Sequence, residues 1–305
     1  MTLRSSLRDY LALRRELGFT LRRDELLLTQ FVTYCEEQNA EIITVELAVA
    51  WATLPERCSQ VWGALRLRVV RAFARYLHGL DARHGVPPTD LLPDGPHRAT
   101  PRIYSNDEIT SLMARTSSMR SALRGASTTA IIGLLASTGL RIGEALALDR
   151  DDVDLNRGVL TIRHAKFDTS RLVPLHSTSV VALGAYARER DRLMVRAKTS
   201  AFFLSATGTR VLHCNFHRAF HESLARVTRA GESGSGRVHD LRHTFAVSVL
   251  ERWYEEGIDV AAKLPALSTY LGHASPSSTY WYLSGSPKLL GRAARLLEAM
   301  YEDAS

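Results

Sequence analysis

Residues 239–245 read His239-Asp240-Leu241-Arg242-His243-Thr244-Phe245. If a helix begins here, His239 and Arg242 are three positions apart and share one face, so an imidazole and a guanidinium can be aimed at the same phosphate. The pair alone decides little, because a histidine near a helix start also serves as a cap and an arginine is often simply solvated. What gives the stretch weight is the set of chemically suited groups on either side of it, at defined intervals and on recognisable elements.

Upstream, Thr138-Gly139-Leu140-Arg141-Ile142-Gly143-Glu144 follows an apolar helix expected over about Ser127–Ser137. After Gly139 a new helical turn carries Arg141, Glu144, Leu146 and Leu148. Between Val153 and Leu175 the period changes to two: Val159, Thr161 and Arg163 alternate with Leu160 and Ile162, and Leu172–Leu175 forms the returning strand. Lys166 sits near the turn joining these strands, with Arg171 five positions on and Pro174 after it. Helices are expected over Ser177–Leu193 and about Asn215–Arg229, with a short strand at Phe202–Leu204 between them and a glycine-rich loop at Gly231–Gly236. Two more helices, Asp240–Glu255 and Val260–Leu271, lead to the stop Leu271-Gly272-His273. Tyr282 lies nine residues after His273, beside Tyr280 and Trp281, and an amphipathic helix is expected over Leu289–Tyr301.

The remainder of the chain is helical in pattern. Leu3, Leu7 and Leu11 recur at helical spacing, as do Leu27, Phe31 and Cys35, and Thr44 is placed to cap a third helix holding Leu47 and Trp51. A fourth carries the apolar stripe Trp62, Leu65, Val69, Phe73 and Tyr76, with Arg68, Arg71 and Arg75 along another face. Three spaced arginines suit either a solvated face or a phosphate backbone, and they are the candidate DNA contacts of this region, with Arg171 a further one. Pro87, Pro88, Pro93, Pro96 and Pro101 then interrupt any helix. The expected organisation is an N-terminal helical domain over residues 1–86, a linker over 87–102 and a mixed α+β domain over 103–305, opened by a Ser105/Glu108 capping box. The fold class is mainly α with a small β-sheet.

Composition narrows the partner. The 305 residues carry a formal charge of +7 at pH 7, almost all of the positive side from arginine, since Lys166, Lys198, Lys263 and Lys288 are the only lysines. Arginine grips phosphate bidentately, so this balance favours a polyanion, although a GC-rich genome also replaces Lys with Arg. Cys35, Cys58 and Cys214 are an odd, widely spaced set, read as reduced intracellular thiols. The longest apolar runs fall far short of the roughly 20 residues of a membrane span, and a cytoplasmic location is the expectation.

Taken together, the order and spacing of these groups resemble the tyrosine recombinase (phage integrase) family over nearly all of residues 103–305, and more loosely before it. Arg141 matches the family's first arginine, Lys166 its hairpin lysine, His239 and Arg242 its His-x-x-Arg pair, His273 its second histidine and Tyr282 its nucleophile. Glu144 resembles the acidic position after the first arginine and is expected to buttress the site. All six catalytic positions are filled, which argues against a silent relative. The resemblance implies a helical, SAM-like core-binding domain ahead of the catalytic domain, together closing on double-stranded DNA. It also implies strand exchange at paired short sites by a homotetramer, monomeric in the absence of DNA.

The residues answer the demands of that chemistry. Attack on a phosphodiester gathers negative charge on its nonbridging oxygens, which Arg141 and Arg242 can neutralise, with His273 adding a donor. A phenol with an ordinary pKa near ~10 must lose its proton as it attacks, and His239 is the candidate base. The leaving 5′ oxygen needs a proton, which Lys166 can give; Lys198 is the fallback if the strands are misplaced. A phosphotyrosine link conserves the bond, so neither ATP nor a metal is expected. Tyr280 and Trp281 are read as packing, and His243 as structural. His213, Cys214, His217 and His221 have spacing compatible with zinc, but a solvated or phosphate-facing helix explains them better. The rival functions are a DNA-binding regulator that keeps the fold without the chemistry, and a type IB topoisomerase.

Overall fold

The computed structural model describes residues 2–54, 59–93, 101–163, 170–227 and 236–273, with 279, 280, 282 and 291. The chain divides into two compact units, Met1–Ala99 and Thr100–Ser305.

The first unit is four helices, α1 (Leu3–Glu16), α2 (Arg22–Glu37), α3 (Val45–Thr53) and α4 (Gln60–Leu80). Three have side-chain caps at their starts: Thr2, Thr44 and Ser59 accept from the amides of Ser5, Leu47 and Trp62. Their apolar stripes meet in one core that includes Leu7, Leu28, Phe31, Val70 and Phe73. Tyr10 stands between Phe73 and Tyr76, with ring centroids 5.4 and 5.3 Å away. On α4 the inward stripe is Leu67, Val70, Phe73, Ala74 and Leu77, with Val69 also buried, whereas Trp62 is exposed. Arg68 and Arg75 face solvent. Arg71 donates to the carbonyls of Pro87 (2.7 Å) and Pro88 (2.6 Å), and Leu92 packs against the same core, so chain expected to be linker is held on this unit.

The second unit is built around α6 (Ala122–Thr138), a helix rich in Ala, Gly, Ser and Thr that lets neighbours approach closely. Against it lie α5 (Asn106–Ser117), α8 (Ser177–Leu193), α9 (His213–Val227) and α10 (Asp240–Glu255). The Ser105/Glu108 capping box opens α5 as expected. A short α7 (Ile142–Ala147) leads to an antiparallel sheet in the order β1 (Val153–Asp154), β2 (Val159–Ile162), β3 (Arg171–Pro174). Leu160 pairs with Val173, and both are fully buried on the face toward the helices. α11 (Val260–Leu271) packs on α10 and β3, and together with Tyr282 these helices form a separate apolar cluster.

The strand expected at Phe202–Leu204 is absent. Isolated bridges at Ala201 and Leu204 flank a bend instead, because Phe202 and Phe203 turn inward onto Tyr186, with centroids 5.6 and 5.3 Å from its ring. The Gly231–Gly236 loop, all but its last residue, and the Leu289–Tyr301 helix, all but Gly291, lie outside the described residues. No helix among the described residues is long and apolar enough to cross a membrane.

Candidate active site

Two left-handed glycines create the site. Gly139 (φ 63°) ends α6 and Gly272 (φ 67°) ends α11, and each turn directs main-chain carbonyls into the same space. Both turns are sterically closed to a side chain. A Cβ on Gly139 would come 2.5 Å from the Phe245 ring, and one on Gly272 would come 2.6 Å from the Arg171 guanidinium.

Two arginines bind those carbonyls. Arg242, on the first turn of α10, donates to Gly139 O (2.7 Å) and Leu271 O (2.8 Å). Arg141, at the start of α7, donates to Gly272 O (2.9 Å) and to Glu144 Oε1 (2.9 Å). Arg242 is only 2% exposed, and burial, followed by the charge of Arg141, lowers its pKa to about 10, still protonated at neutral pH. The Arg141 side chain keeps 32% of its surface in solvent.

Glu144 joins a third arginine to the pair. Arg171, at the start of β3, donates to Glu144 Oε1 (3.0 Å), to Glu144 Oε2 (2.9 Å) and to Tyr270 O (3.0 Å). Its guanidinium therefore points into protein, where a DNA contact was expected. Burial alone would push the Glu144 carboxyl up, but the Arg171 bonds, the Arg141 amide and both positive charges hold it below its ordinary value.

The aromatic and imidazole groups complete the cluster. Tyr282 is 3% exposed, with its ring stacked 6.0 Å from His273. Tyr280, two positions earlier, is 54% exposed. His273 Nδ1 is 2.8 Å from Thr279 Oγ1. His243 lies between two site residues, 4.7 Å from the His239 ring and 5.4 Å from that of Tyr282, a position its helix periodicity did not reveal. Burial lowers His243 and His273 to about 4, the former aided by His239 and the latter by Arg242. His239 retains an exposed edge. Its partial enclosure, then the charges of Arg242 and Arg141, lower its pKa as well, which leaves a neutral imidazole able to take a proton.

The structure thus brings Arg141, Glu144, Arg171, Arg242, His239, His273 and Tyr282 together. Lys166 lies outside the described residues. Arg68, Arg71 and Arg75 belong to the other unit. His213, His217 and His221 run along exposed α9 with their first two rings stacked 4.4 Å apart, and no group of three metal-binding side chains occurs among the described residues.

Paired guanidiniums beside a buried tyrosine and neutral imidazoles on this helical scaffold define a DNA strand-transfer class of protein. The chain belongs to the phage integrase family, that of the tyrosine-type site-specific recombinases, whose profile matches residues 102–288. It is 41% identical over 99% of both chains to y4rB of Sinorhizobium fredii, a protein named as an integrase/recombinase. It is 34% identical to the tyrosine recombinase XerD of Mycobacterium tuberculosis, over 68% of this chain and 66% of that one. In fold it is similar to the Tn1549 transposon integrase solved with transposon right end DNA, with a TM-score of 0.68 and 17% identity over 98% of this chain and 100% of that one.

Proposed function

We propose that this recombinase cuts and rejoins DNA through a covalent 3′-phosphotyrosine formed by Tyr282, with no nucleotide and no metal ion taking part. The observation that carries this reading is the buried Tyr282 ring, stacked 6.0 Å from His273 and 5.4 Å from His243, beside His239 and Arg242 on the start of α10, while Arg141 remains open to solvent.

In the forward step the Tyr282 oxygen bonds to phosphorus, the bond to the 5′ oxygen breaks, and the phenolic proton passes to His239. Arg141 and Arg242 hold the nonbridging oxygens, and His273 donates one further hydrogen bond. Lys166 gives the departing 5′ oxygen its proton. Reversal with a different 5′ hydroxyl releases Tyr282 and joins a new strand. Glu144 and Arg171 touch neither strand and fix Arg141. The N-terminal unit, with Arg68 and Arg75 on its surface, closes on the duplex, and four copies assemble on paired sites in the cytoplasm.

The test is incubation with a library of nicked duplexes, followed by denaturing electrophoresis of wild type and Tyr282→Phe. A protein–DNA band in the wild type alone supports the proposal. Tight binding with no band in either would favour a regulator, and relaxation of a plasmid of arbitrary sequence would favour a topoisomerase.

A further inference from the structure

His273 is held from two sides by one helical turn. Thr279, Tyr280 and Tyr282 are helical, and positions three apart on a helix share a face, so Thr279 and Tyr282 are both buried while Tyr280 turns to solvent. Both inward residues reach the imidazole. The Tyr282 ring stacks against it at 6.0 Å, and Thr279 Oγ1 lies 2.8 Å from its Nδ1. One ring nitrogen is thereby committed, and Nε2 is left for chemistry.

The direction of the Thr279 bond decides what Nε2 can do. Burial, then the charges of Arg242 and Arg141, lower the His273 pKa to about 4, so at neutral pH the ring carries a single proton. The hydrogen bond made by one ring nitrogen sets which of the two holds that proton. A Thr279 hydroxyl that donates to Nδ1 leaves the proton on Nε2, which becomes a donor. A hydroxyl that accepts from Nδ1–H leaves Nε2 an acceptor, unable to bind a nonbridging phosphate oxygen.

Two observations favour donation by Thr279. Its side chain is 1% exposed, and among the described residues Nδ1 of His273 is the group its hydroxyl meets. A hydroxyl hydrogen buried with no acceptor gives up its hydration without a replacement, so the bond is best made from Oγ1 to Nδ1. The second observation concerns Nε2. Arg242 and Arg141 direct their guanidiniums to main-chain carbonyls and Glu144, so neither of these bonds needs a lone pair on that nitrogen.

We propose that Thr279 is a positioning residue whose hydroxyl donates to Nδ1 of His273 and keeps the ring's proton on Nε2, where it can meet a nonbridging oxygen of the scissile phosphate. This rests on the recombinase reading above. It also ties two parts of the site together, because the turn that carries the Tyr282 phenol is the one that orients the imidazole proton.

The test reads the tautomer of His273 in the full chain without DNA. Protein labelled with nitrogen-15 at histidine gives long-range proton–nitrogen correlations that separate protonated from bare ring nitrogens, and the signals lost in His273→Gln identify this ring. At pH 7 wild type and Thr279→Ser should show Nδ1 bare and Nε2 protonated. Thr279→Val and Thr279→Ala lack the hydroxyl and should show averaged positions for both nitrogens, while the remaining histidine rings report that each variant folds. On a nicked duplex both should cleave about 5- to 10-fold more slowly, the factor carried by one hydrogen bond, with Thr279→Ser near wild type. Nδ1–H in the wild type overturns the proposal. So does an unchanged tautomer in Thr279→Val and Thr279→Ala, whatever their cleavage rates, and so does averaging that leaves cleavage untouched. Wild type that holds Nε2–H and cleaves no duplex would instead overturn the recombinase reading.

Discussion

Arg171 grips both carboxylate oxygens of Glu144 at 3.0 and 2.9 Å, while the same carboxylate holds the Nη1 of Arg141 at 2.9 Å. Arg171 thereby fixes Arg141 through Glu144, and through it the proposed phosphate site. Substituting Arg171→Ala is expected to lower the cleavage rate about 100-fold, the order of loss that follows from misplacing a catalytic group by about 1 Å. A neutral methylphosphonate at the scissile position removes the charge that Arg141 must hold. It should restore cleavage by Arg171→Ala as it restores Arg141→Ala; rescue of Arg141→Ala alone would show that Arg171 has only a structural role.

The two arginines proposed to hold the phosphate, Arg141 and Arg242, should separate in their effect on stability. Arg242→Ala strands the buried carbonyls of Gly139 and Leu271, at about 1–3 kcal/mol each, so its melting temperature should fall clearly. Arg141→Ala removes a part-exposed side chain and should melt close to wild type. Both should lose cleavage by about 100- to 1,000-fold, as for removal of one oxyanion donor. Equal melting temperatures would contradict the assignment of Arg242 as the structural as well as the electrostatic centre.

Gly272 and Gly257 provide a matched pair. Both have φ near 66°, but a Cβ on Gly257 meets nothing within 4 Å whereas one on Gly272 meets Arg171. Alanine at Gly257 should cost only the backbone penalty of about 1 kcal/mol and leave cleavage intact. Alanine at Gly272 should cost more in urea unfolding and reduce cleavage, since Arg171 must move.

Acid should destabilise the DNA-free protein. His243 and His273 have folded pKa values of about 4, below the ordinary value near 6.5. The unfolded chain therefore takes up these protons first as pH falls. Their contribution is complete above about 6.5 and is lost as pH falls toward 4. Melting temperatures should decline across that interval, less steeply in His273→Gln; a flat profile would contradict the burial of these rings.

Much of this architecture is legible locally. The bounds of α8, α10 and α11 follow from apolar periodicity, the Asp259 cap that accepts from Ala262 and the glycine stop at Gly272. The Phe202–Leu204 run was misread because three apolar residues suit a strand and a buried bend equally, and only the tertiary pull of Tyr186 decides between them. Arg171 looked like a DNA contact for a similar reason. Its acid lies 27 residues away on α7, and nothing local records that the β3 start and the α7 start converge. His243 shows the limit of helix-face reasoning: its place between His239 and Tyr282 depends on where residue 282 returns to α10.

The central claim is that Tyr282 becomes covalently joined to DNA. Wild-type protein trapped on a nicked duplex, digested with protease and sequenced by mass spectrometry, should yield one DNA-linked peptide, with the nucleotide mass on Tyr282. Attachment at Tyr280 or any other residue, or cleavage that leaves no DNA-linked peptide, would contradict it.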